Sequence, residues 1–536
     1  LSEEQKNALL KIEKIFEQKN VILLHGITGS GKTRVYIERI QQALERGEQV
    51  LYLLPEIALT TQIVQRLKRI FGDAVGVYHS RLNNNERVEL WQQTSQGKPV
   101  ILGARSALFL PFNNLKLIIV DEEHDPSFKQ HDPNPRYHGR DVATYLAMLH
   151  EAKVLLGTAT PSIESSQNVK TEKYGLVKMQ KRFGGISLPE IITIDLKEAQ
   201  KRKTMRSVFS SVLLKSLEET LERKEQAILF QNRRGYAPRL LCPTCGWHQE
   251  CAHCDVSLTY HKYQNTLKCH CCGFTTKVSE ACPACGVVGL TLKGFGTEKI
   301  EDELKIYLPH ARIARMDFDT VRSKNRLAQL IHDFEERRLD ILVGTQMVTK
   351  GLDFDNVSIV GILNADQLLQ FPDFRASERA FQLMTQVSGR AGRKQKQGKV
   401  LIQTYNPEHP VIQEVINGNF EAFFEREIIE RQQFAYPPFV RMIRVTLSHK
   451  QARKVNEATR IFEKHLKKAL GKAVIGPAIP TVGRVRGYYL LDFLIKLERN
   501  ANKIKQAKQI IRTLAQQVRA VKGLSSVRVK IDVDPG

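Results

Sequence analysis

Residues 21–33 read VILLHGITGSGKT, and this stretch decides the fold. Its first five residues form a short apolar run that is typical of a buried strand, and a helical pattern follows from Val35 to Leu44. Between them lies G-x-x-x-x-G-K-T, a loop whose backbone N–H groups bind phosphate oxygens at the start of a helix. The stretch therefore predicts a parallel α/β sheet with an ATP site. We expect Lys32 to contact the β- and γ-phosphates and Thr33 to hold Mg²⁺. The predicted ATP-binding residues of the loop are Gly26, Ile27, Thr28, Gly29, Ser30, Gly31, Lys32 and Thr33.

A second apolar strand ends in carboxylates. The run Leu117–Val120 is followed by DEEH at residues 121–124. We predict that Asp121 binds the metal ion and that Glu122 orients or deprotonates the water that attacks ATP. The alternative is an acidic helix cap, which the phosphate loop upstream disfavours.

Further strand ends carry polar motifs later in the chain. They read GTATP at 157–161, GTQM at 344–347, KGLD at 350–353 and QVSGRAGR at 386–393. We expect the last motif to reach across a cleft to the γ-phosphate, where its arginines would stabilise charge in the transition state. Surface arginines are the alternative. The predicted residues are Gln386, Arg390 and Arg393 for catalysis, with Gly351 and Asp353 as further ATP-binding residues.

All nine cysteines lie between Cys242 and Cys285, and eight of them form four C-x-x-C pairs. Four such pairs build two tetrahedral zinc sites, in one of three possible pairings. Apolar segments at 256–261 and 266–269 predict a hairpin that brings the second pair beside the third. The nested pairing follows, and Cys271 is left over. Zinc 1 is predicted at Cys242, Cys245, Cys282 and Cys285, and zinc 2 at Cys251, Cys254, Cys269 and Cys272.

Composition points to a polyanionic partner. The 536 residues carry a net charge of +24, with 42% hydrophobic and 26% charged residues, which is ordinary for a globular chain. Residues 441–536 hold 22 Lys and Arg against 6 Asp and Glu, a net charge of +16. A basic folded domain favours binding to a nucleic-acid backbone, although a solvated surface is an alternative. No apolar run approaches ~18 residues, so we expect no membrane-spanning helix.

These motifs together resemble the superfamily 2 helicases. The resemblance is closer to the PriA family, because the Cys-rich block lies between NRRGY at 232–236 and GTE at 296–298, and because GTQMVTKG at 344–351 and DVDP at 532–535 are present. The resemblance implies an ATP-dependent 3′→5′ DNA helicase that recognises and remodels stalled or collapsed replication forks. It also implies primosome assembly, with reloading of the replicative helicase, and a location in the cytoplasm at the bacterial nucleoid. The implied partners are single-stranded and forked DNA, single-stranded-DNA-binding protein, and primosome or helicase-loading proteins.

The resemblance also suggests DNA contacts. Residues 128–138 resemble the aromatic-rich loop that couples single-stranded DNA to ATP hydrolysis, and basic residues interleaved with aromatic ones suit base stacking. A proline-bearing surface loop is the alternative. The resemblance also implies that Gln5 contacts the adenine edge of ATP. The predicted DNA contacts are Arg105, Phe128, Lys129, Arg136, Tyr137 and His138, with Arg484, Arg486 and Tyr488 in the C-terminal part.

We predict two RecA-like parallel-sheet lobes at 1–185 and 186–420, a zinc module at 240–290 inserted in the second lobe, and a basic α+β domain at 421–536. Strands are expected near 440–447, 488–497 and 526–532, and helices near 451–470 and 501–521. PriA-like proteins begin with a 3′-end-binding domain and a winged-helix domain. The helicase motifs here begin at once and Leu1 is not an initiator Met, so we expect that an N-terminal part is missing. Two alternative functions remain. One is a different superfamily 2 translocase that acts on duplex DNA or RNA, and the other is a loading scaffold that uses ATP as an assembly switch.

Overall fold

The structure is a computed structural model that describes residues 1–55, 61–80, 82–184, 187–232, 239–245, 247–261, 265–269, 271–293, 297–317, 320, 324–348, 354–370, 373–392 and 397–535. The helices within these ranges are α1 (Glu3–Gln18), α2 (Lys32–Glu45), α3 (Thr61–Phe71), α4 (Asn84–Ser95), α5 (Gly139–His150), α6 (Ile163–Lys170), α7 (Leu196–Lys201), α8 (Ser211–Glu222), α9 (Thr297–Tyr307), α10 (Lys324–Glu335), α11 (Asp366–Leu369), α12 (Ala376–Ser388), α13 (Pro410–Ile416), α14 (Phe420–Gln433), α15 (Ala452–Leu470) and α16 (Ala501–Ala520).

The strands are β1 (Val21–Gly26), β2 (Gln49–Leu53), β3 (Val75–Tyr78), β4 (Val100–Gly103), β5 (Leu115–Asp121), β6 (Lys153–Thr158), β7 (Gly175–Met179), β8 (Glu190–Asp195), β9 (Met205–Arg206), β10 (Phe209–Ser210), β11 (Gln226–Phe230), β12 (Arg239–Leu241), β13 (Thr259–His261), β14 (Thr266–Lys268), β15 (Thr275–Lys277), β16 (Thr291–Lys293), β17 (Ile313–Met316), β18 (Ile341–Gly344), β19 (Val357–Ile362), β20 (Lys399–Thr404), β21 (Val440–His449), β22 (Val474–Ala478), β23 (Arg484–Val485), β24 (Tyr488–Glu498) and β25 (Arg528–Val533).

Lobe 1 is a seven-stranded parallel sheet in the order β3-β4-β2-β5-β6-β1-β7. Its central strands are almost entirely apolar because helices cover both faces, and a separate hydrophobic cluster fills each face. Strand β6 lies between β5 and β1, so the segments that follow these three strands meet at one edge. The sequence prediction of strands at 21–25 and 117–120 is confirmed.

Lobe 2 is a six-stranded parallel sheet in the order β17-β18-β11-β19-β20-β8. Strand β8 comes first in the sequence yet lies at the edge beside β20. Residues of α8 and α9 pack on the sheet in one apolar cluster. Helix α12 carries residues 376–388 and ends within the arginine motif at 386–393. The two parallel lobes confirm the predicted α/β fold.

The Cys-rich segment contains the predicted hairpin. Strands β13 and β14 pair antiparallel, with Thr259 opposite Lys268, and β15 extends them to a three-stranded meander. Strands β12 and β16 pair at the base of the segment. The small apolar cluster here includes Cys251, Cys254 and Cys269 beside Leu258 and Leu267, because so short a segment has few other residues to bury.

The C-terminal domain is an antiparallel sheet in the order β22-β24-β21-β25, with β23 paired to β24. Helices α15 and α16 cover it and bury Phe462 and Ile511 in its core. The predicted helices and the three long strands agree with the structure within a few residues. Strands β22 and β23 were not predicted, because the first contains Gly476 and Pro477 and the second has only two residues.

Contacts between Cα atoms group the chain into two units, residues 1–232 with 297–427, and residues 233–296 with 428–536. The first unit holds both lobes. The second unit holds the Cys-rich segment and the C-terminal domain, although the sequence pattern suggested that the Cys-rich segment belongs to lobe 2. The proposed domain boundaries stay a prediction. Across the described ranges, no helix is both long enough and apolar enough to cross a bilayer.

Candidate ATP site and zinc centres

The phosphate loop joins β1 to α2. Helix α2 begins at Lys32, and Gly31 is its N-cap residue with a φ of 83°. The ammonium of Lys32 donates a hydrogen bond to the Gly26 carbonyl at 2.7 Å, so it lies over the loop. Thr33 follows in the first turn of the helix. A loop of backbone N–H groups at the positive end of a helix favours a bound phosphate.

Two side chains border this loop. Gln5 is buried, accepts the Ser2 N–H on Oε1 at 2.9 Å, and places its Nε2 against Gly31. Its predicted contact with adenine remains a prediction. Arg182 lies against Gly29 and donates from Nη1 to the Gly392 carbonyl of lobe 2 at 2.7 Å. Sequence reasoning missed Arg182 because it belongs to no motif.

Asp121 is held by two tyrosines that the sequence did not single out. The hydroxyls of Tyr36 and Tyr52 donate to Oδ1 at 2.9 Å and Oδ2 at 3.2 Å. Gly157 makes room for this arrangement, because a Cβ there would collide with the Tyr36 hydroxyl. Burial, followed by the charge of Glu122, raises the pKa of Asp121 to about 6. Carboxylate and hydroxyl oxygens are hard ligands that suit Mg²⁺, so Asp121 and Thr33 fit the predicted ion.

We expect Tyr36→Phe to raise the Mg²⁺ concentration needed for nucleotide binding about tenfold, because the Asp121 carboxylate loses one of its two hydroxyl donors. The ring stays in place, so folding should be unchanged. Equilibrium binding of a fluorescent ATP analogue across a Mg²⁺ titration measures the shift. Tyr145→Phe is the control, since Tyr145 is exposed on α5. An unchanged Mg²⁺ requirement would show that the hydroxyl does not position Asp121.

Glu122 has an unusual backbone and an unsatisfied carboxylate. Its φ of 51° lies in the left-handed region, which costs a non-glycine residue about 1–2 kcal/mol. Among the described residues, its buried Oε2 has no hydrogen-bond partner, and Nδ1 of His124 lies 3.7 Å away. Strained backbone of this kind concentrates at functional sites. The carboxylate is therefore placed to accept a hydrogen bond from a water molecule or substrate.

Glu123 has a structural role that the sequence did not reveal. Its side chain is fully buried and accepts from Arg140 Nη1 at 2.9 Å, from the Ser162 N–H at 2.8 Å and from the Ser165 hydroxyl at 2.8 Å. Arg140 also donates to the Ser162 hydroxyl. These bonds join the segment after β5 to the segment after β6. The network thus holds the segment that carries Asp121 and Glu122.

Arg140→Met is expected to lower the free energy of unfolding of lobe 1 by about 3–5 kcal/mol, because it leaves the Glu123 carboxylate buried and unpaired. Urea denaturation followed by circular dichroism measures the loss. Arg202→Met is a matched control, since Arg202 and Glu198 form an exposed pair worth at most about 1 kcal/mol. Equal effects of the two substitutions would contradict the assigned role of the buried network.

Lobe 2 approaches the phosphate loop through the arginine motif. Nε2 of Gln386 lies 2.6 Å from Nε2 of His124. A Cβ on Gly389 would lie 2.7 Å from the Thr28 side chain, so only glycine allows this approach. Burial lowers the pKa of the half-buried Arg390, and the Glu122 carboxylate opposes that shift. The structure therefore brings Gln386 and Arg390 to the segments that carry Thr28 and Glu122. Arg393, Gly351 and Asp353 lie outside the described residues.

The aromatic-rich segment folds as a narrow hairpin. Lys129 and His138 form an antiparallel bridge, and the Gln130 N–H donates to the Tyr137 carbonyl. Arg105 stacks 5.6 Å from the Tyr137 ring and donates to the Ser127 carbonyl. The hairpin is therefore anchored at its base by Arg105.

Two of the predicted DNA contacts in this hairpin need correction. Phe128 is 1% exposed in the lobe 1 core, so its ring is not presented to a base, and Lys129 is also buried. The Phe128 ring packs in the apolar core under the hairpin, although the sequence pattern suggested that it stacks on a base. Arg136, Tyr137 and His138 are partly exposed and stay predictions, and burial lowers the pKa of His138 to about 4.

The cysteines form two separate groups that fit two zinc ions. One group is Cys242, Cys245, Cys282 and Cys285, and the other is Cys251, Cys254, Cys269 and Cys272. All sulfurs within a group lie within 4.8 Å of one another, and three of the sulfur pairs are 3.5–3.6 Å apart. Tetrahedral zinc with Zn–S distances near 2.3 Å requires sulfurs about 3.8 Å apart. The nested pairing predicted from the hairpin is confirmed, and Cys271 belongs to neither group.

We expect the purified chain to hold two zinc ions, and Cys271→Ser to leave both in place. Cys269→Ser removes one ligand and should reduce the content to about one ion per chain, because a structural zinc site needs all four ligands. Elemental analysis after dialysis measures the stoichiometry. Two ions in Cys269→Ser and one in Cys271→Ser would reverse the ligand assignment.

The predicted DNA contacts of the C-terminal domain lie on the hairpin of β23 and β24. Arg484 Nε donates to Asp255 at 3.1 Å, and Arg486 Nε donates to the Cys271 carbonyl at 3.1 Å. Both guanidinium groups therefore contact the Cys-rich segment. Two cations lie near Tyr488, with Arg528 at 4.3 Å and Lys450 at 6.0 Å from the centre of its ring.

Family models match most of the chain. The DEAD/DEAH box helicase model matches residues 2–169, and the helicase conserved C-terminal domain matches 295–395. The PriA DNA helicase Cys-rich region domain matches 251–277, and the primosomal protein N C-terminal domain matches 432–536. A solved structure of the DUF1998 helicase MrfA bound to DNA and AMPPNP is similar over 80% of this chain and 50% of its own, with 15% identity and a TM-score of 0.48.

Two curated relatives are similar along nearly the whole chain. The replication restart protein PriA of Bacillus subtilis strain 168 is 40% identical over 100% of this chain and 66% of its own length. That of Haemophilus influenzae is 39% identical over 96% of this chain and 70% of its own length. The chain thus spans about two thirds of the length of these relatives. It belongs to the PriA family of replication restart proteins, with the paired domains of an ATP-dependent DNA helicase and a Cys-rich region that fits two zinc ions.

Proposed function

We propose that this chain is the motor of a 3′→5′ DNA helicase that remodels stalled or collapsed replication forks and starts reloading of the replicative helicase. The observation that carries the proposal is the Glu122 carboxylate, whose buried Oε2 has no hydrogen-bond partner among the described residues and whose charge acts on Arg390 of lobe 2. A carboxylate that activates water and an arginine from the other lobe, both near one phosphate loop, suit ATP hydrolysis that depends on lobe closure.

The residues divide the work of hydrolysis. Loop 26–33 binds the phosphates, and Lys32 leaves the Gly26 carbonyl to contact the β- and γ-phosphates. Asp121 and Thr33 would hold Mg²⁺, which neutralises charge on the phosphate oxygens when bound. Glu122 accepts a hydrogen bond from the attacking water, and Arg390 stabilises the charge that develops on the γ-phosphate.

Gln386 couples the lobes through its contact with His124, which in turn bonds the Thr158 hydroxyl at 2.7 Å. The alternation between a closed and an open cleft would move the two lobes along one DNA strand. We keep Arg393, Gly351 and Asp353 as proposed members of the same site, and Gln5 as the proposed adenine contact.

We propose DNA contacts on the aromatic-rich hairpin of lobe 1 and, as a separate surface, on the basic C-terminal domain. Arg105, Arg136, Tyr137 and His138 are the proposed contacts on lobe 1. In the C-terminal domain, a net charge of +16 over residues 441–536 favours binding to the phosphate backbone of DNA. The Tyr488 ring, with cations nearby, suits stacking on a base. Arg484 and Arg486 remain proposed DNA contacts only because they add positive charge to their hairpin.

The name shared by the curated relatives supports the role in replication restart. We propose single-stranded and forked DNA as the substrate, and single-stranded-DNA-binding protein and helicase-loading proteins as partners. We also propose the bacterial cytoplasm, at the nucleoid, as the site of action.

Strand-displacement assays on three matched duplexes test the proposal. We expect ATP-dependent unwinding of a duplex with a 3′ single-stranded tail, and far less of duplexes with a 5′ tail or blunt ends. Lys32→Ala is the control for dependence on ATP. Preference for the 5′ tail would refute the polarity, and equal activity on all three would favour a duplex translocase.

A further inference from the structure

The C-terminal hairpin reaches the second zinc group with its backbone. Strands β23 and β24 pair Val485 with Tyr488, and the two residues between them, Arg486 and Gly487, form the turn. The Arg486 N–H donates to Sγ of Cys254 at 3.1 Å. This bond resembles two bonds within the Cys-rich segment, where the His253 N–H donates to Cys251 Sγ and the Phe274 N–H to Cys272 Sγ, both at 3.4 Å.

Further contacts hold the hairpin on both sides of that sulfur. The Gly487 N–H donates to the His253 carbonyl at 2.7 Å, and the Asp255 N–H donates to the Arg484 carbonyl at 2.9 Å. Arg484 and Asp255 add an ion pair at 3.1 Å. Val485 packs on the apolar cluster that contains Cys251, Cys254 and Cys269.

The conformation of the turn supports a fixed position. Arg486 and Gly487 have φ of 52° and 77°, as a two-residue hairpin turn of the primed type requires. Asn or Gly usually fills the first of these positions, and a left-handed arginine persists only where the surroundings impose it. Here the N–H of the strained residue meets a cysteine sulfur. The hairpin is therefore shaped to fit the metal group.

We propose that the Arg484–Gly487 hairpin is an outer part of zinc centre 2, and that zinc at this centre fixes the C-terminal domain to the Cys-rich segment. A zinc-bound thiolate carries negative charge, so an N–H donor at 3.1 Å stabilises it, as outer hydrogen bonds do in other metal sites. Zinc centre 1 has a different ligand set and lacks this contact within the described residues. The inference does not depend on ATP hydrolysis.

Hydrogen exchange tests the link from metal to hairpin. With zinc bound, the amides of Arg486 and Gly487 should be protected. After chelation, their exchange should accelerate at least about tenfold, while β25 at the other side of the sheet stays protected. Unchanged protection of the hairpin after loss of zinc from centre 2 would overturn the proposal.

Zinc release tests the link from hairpin to metal. Gly487→Val places a β-branched residue at a φ of 77°, which should open the turn and accelerate release of one of the two ions to a chelator about tenfold. Gly471→Val is the matched control, because Gly471 also has positive φ and open space around it but lies outside the hairpin. Wild-type release from Gly487→Val, or equal acceleration in Gly471→Val, would refute the assignment.

Discussion

Arg390→Ala should lower the kcat of ATP hydrolysis about 10³-fold at saturating DNA, while nucleotide binding stays within a few-fold of wild type. The expected loss is large because an arginine that reaches a γ-phosphate from another lobe acts mainly on the transition state. Arg390 follows α12 at the point where Gly389 meets Thr28 of the phosphate loop. Steady-state ATPase rates and equilibrium binding of an ATP analogue separate the two effects.

The control for Arg390 is Arg379, which lies on the preceding helix α12 and pairs with Asp373 at 2.8 Å. Arg379→Ala removes an equal charge from α12 and should leave kcat nearly unchanged. If both substitutions reduce hydrolysis to the same extent, the loss comes from general disturbance of lobe 2. If Arg390→Ala instead weakens nucleotide binding with unchanged kcat, the Arg390 side chain contributes to the binding of ATP and not to stabilisation of the transition state.

Glu122→Gln should reduce hydrolysis about 10²–10⁴-fold and leave binding of ATP and DNA intact. Glutamine has the same shape but cannot take a proton from water, and Asp121 remains to hold the metal ion. Single-turnover hydrolysis at saturating DNA measures the chemical step. Glu151→Gln provides a matched control, since Glu151 also has a left-handed φ of 52° but lies at the exposed end of α5. Hydrolysis by Glu122→Gln near the wild-type rate would assign water activation to another residue.

The motifs that depend on local spacing could be predicted from the sequence. The loop at 26–33, the strands that precede it and Asp121, and the nested cysteine groups all follow from residue type and short separations. Each of these features is fixed by chemistry within a few residues, or by one hairpin that brings two cysteine pairs together.

Contacts made over long sequence separations could not be predicted. Tyr36 and Tyr52 reach Asp121 only because strand order places α2 and β2 beside β5, and no motif marks either tyrosine. Arg182 reaches Gly392 across 210 residues. The prediction that Phe128 stacks on a DNA base was wrong, because an aromatic residue in a basic loop has the same sequence pattern whether its ring faces solvent or the core.

The contacts of the C-terminal hairpin could not be predicted from the sequence either. Arg484 and Arg486 next to Tyr488 suggested a DNA contact from composition alone, whereas the structure places both arginines against the Cys-rich segment. The Arg486 N–H also contacts Cys254 across 232 residues. Backbone donors carry no residue signature, so a sequence gives no signal for such a bond.

Stimulation of steady-state ATP hydrolysis by single-stranded DNA tests most directly whether the chain is a DNA-dependent motor. The wild-type chain is measured with and without a saturating oligonucleotide, and Glu122→Gln gives the background under both conditions. We predict at least about tenfold stimulation of the wild type and none above background in Glu122→Gln. Tight DNA binding without stimulated hydrolysis would contradict the account and favour a loading scaffold.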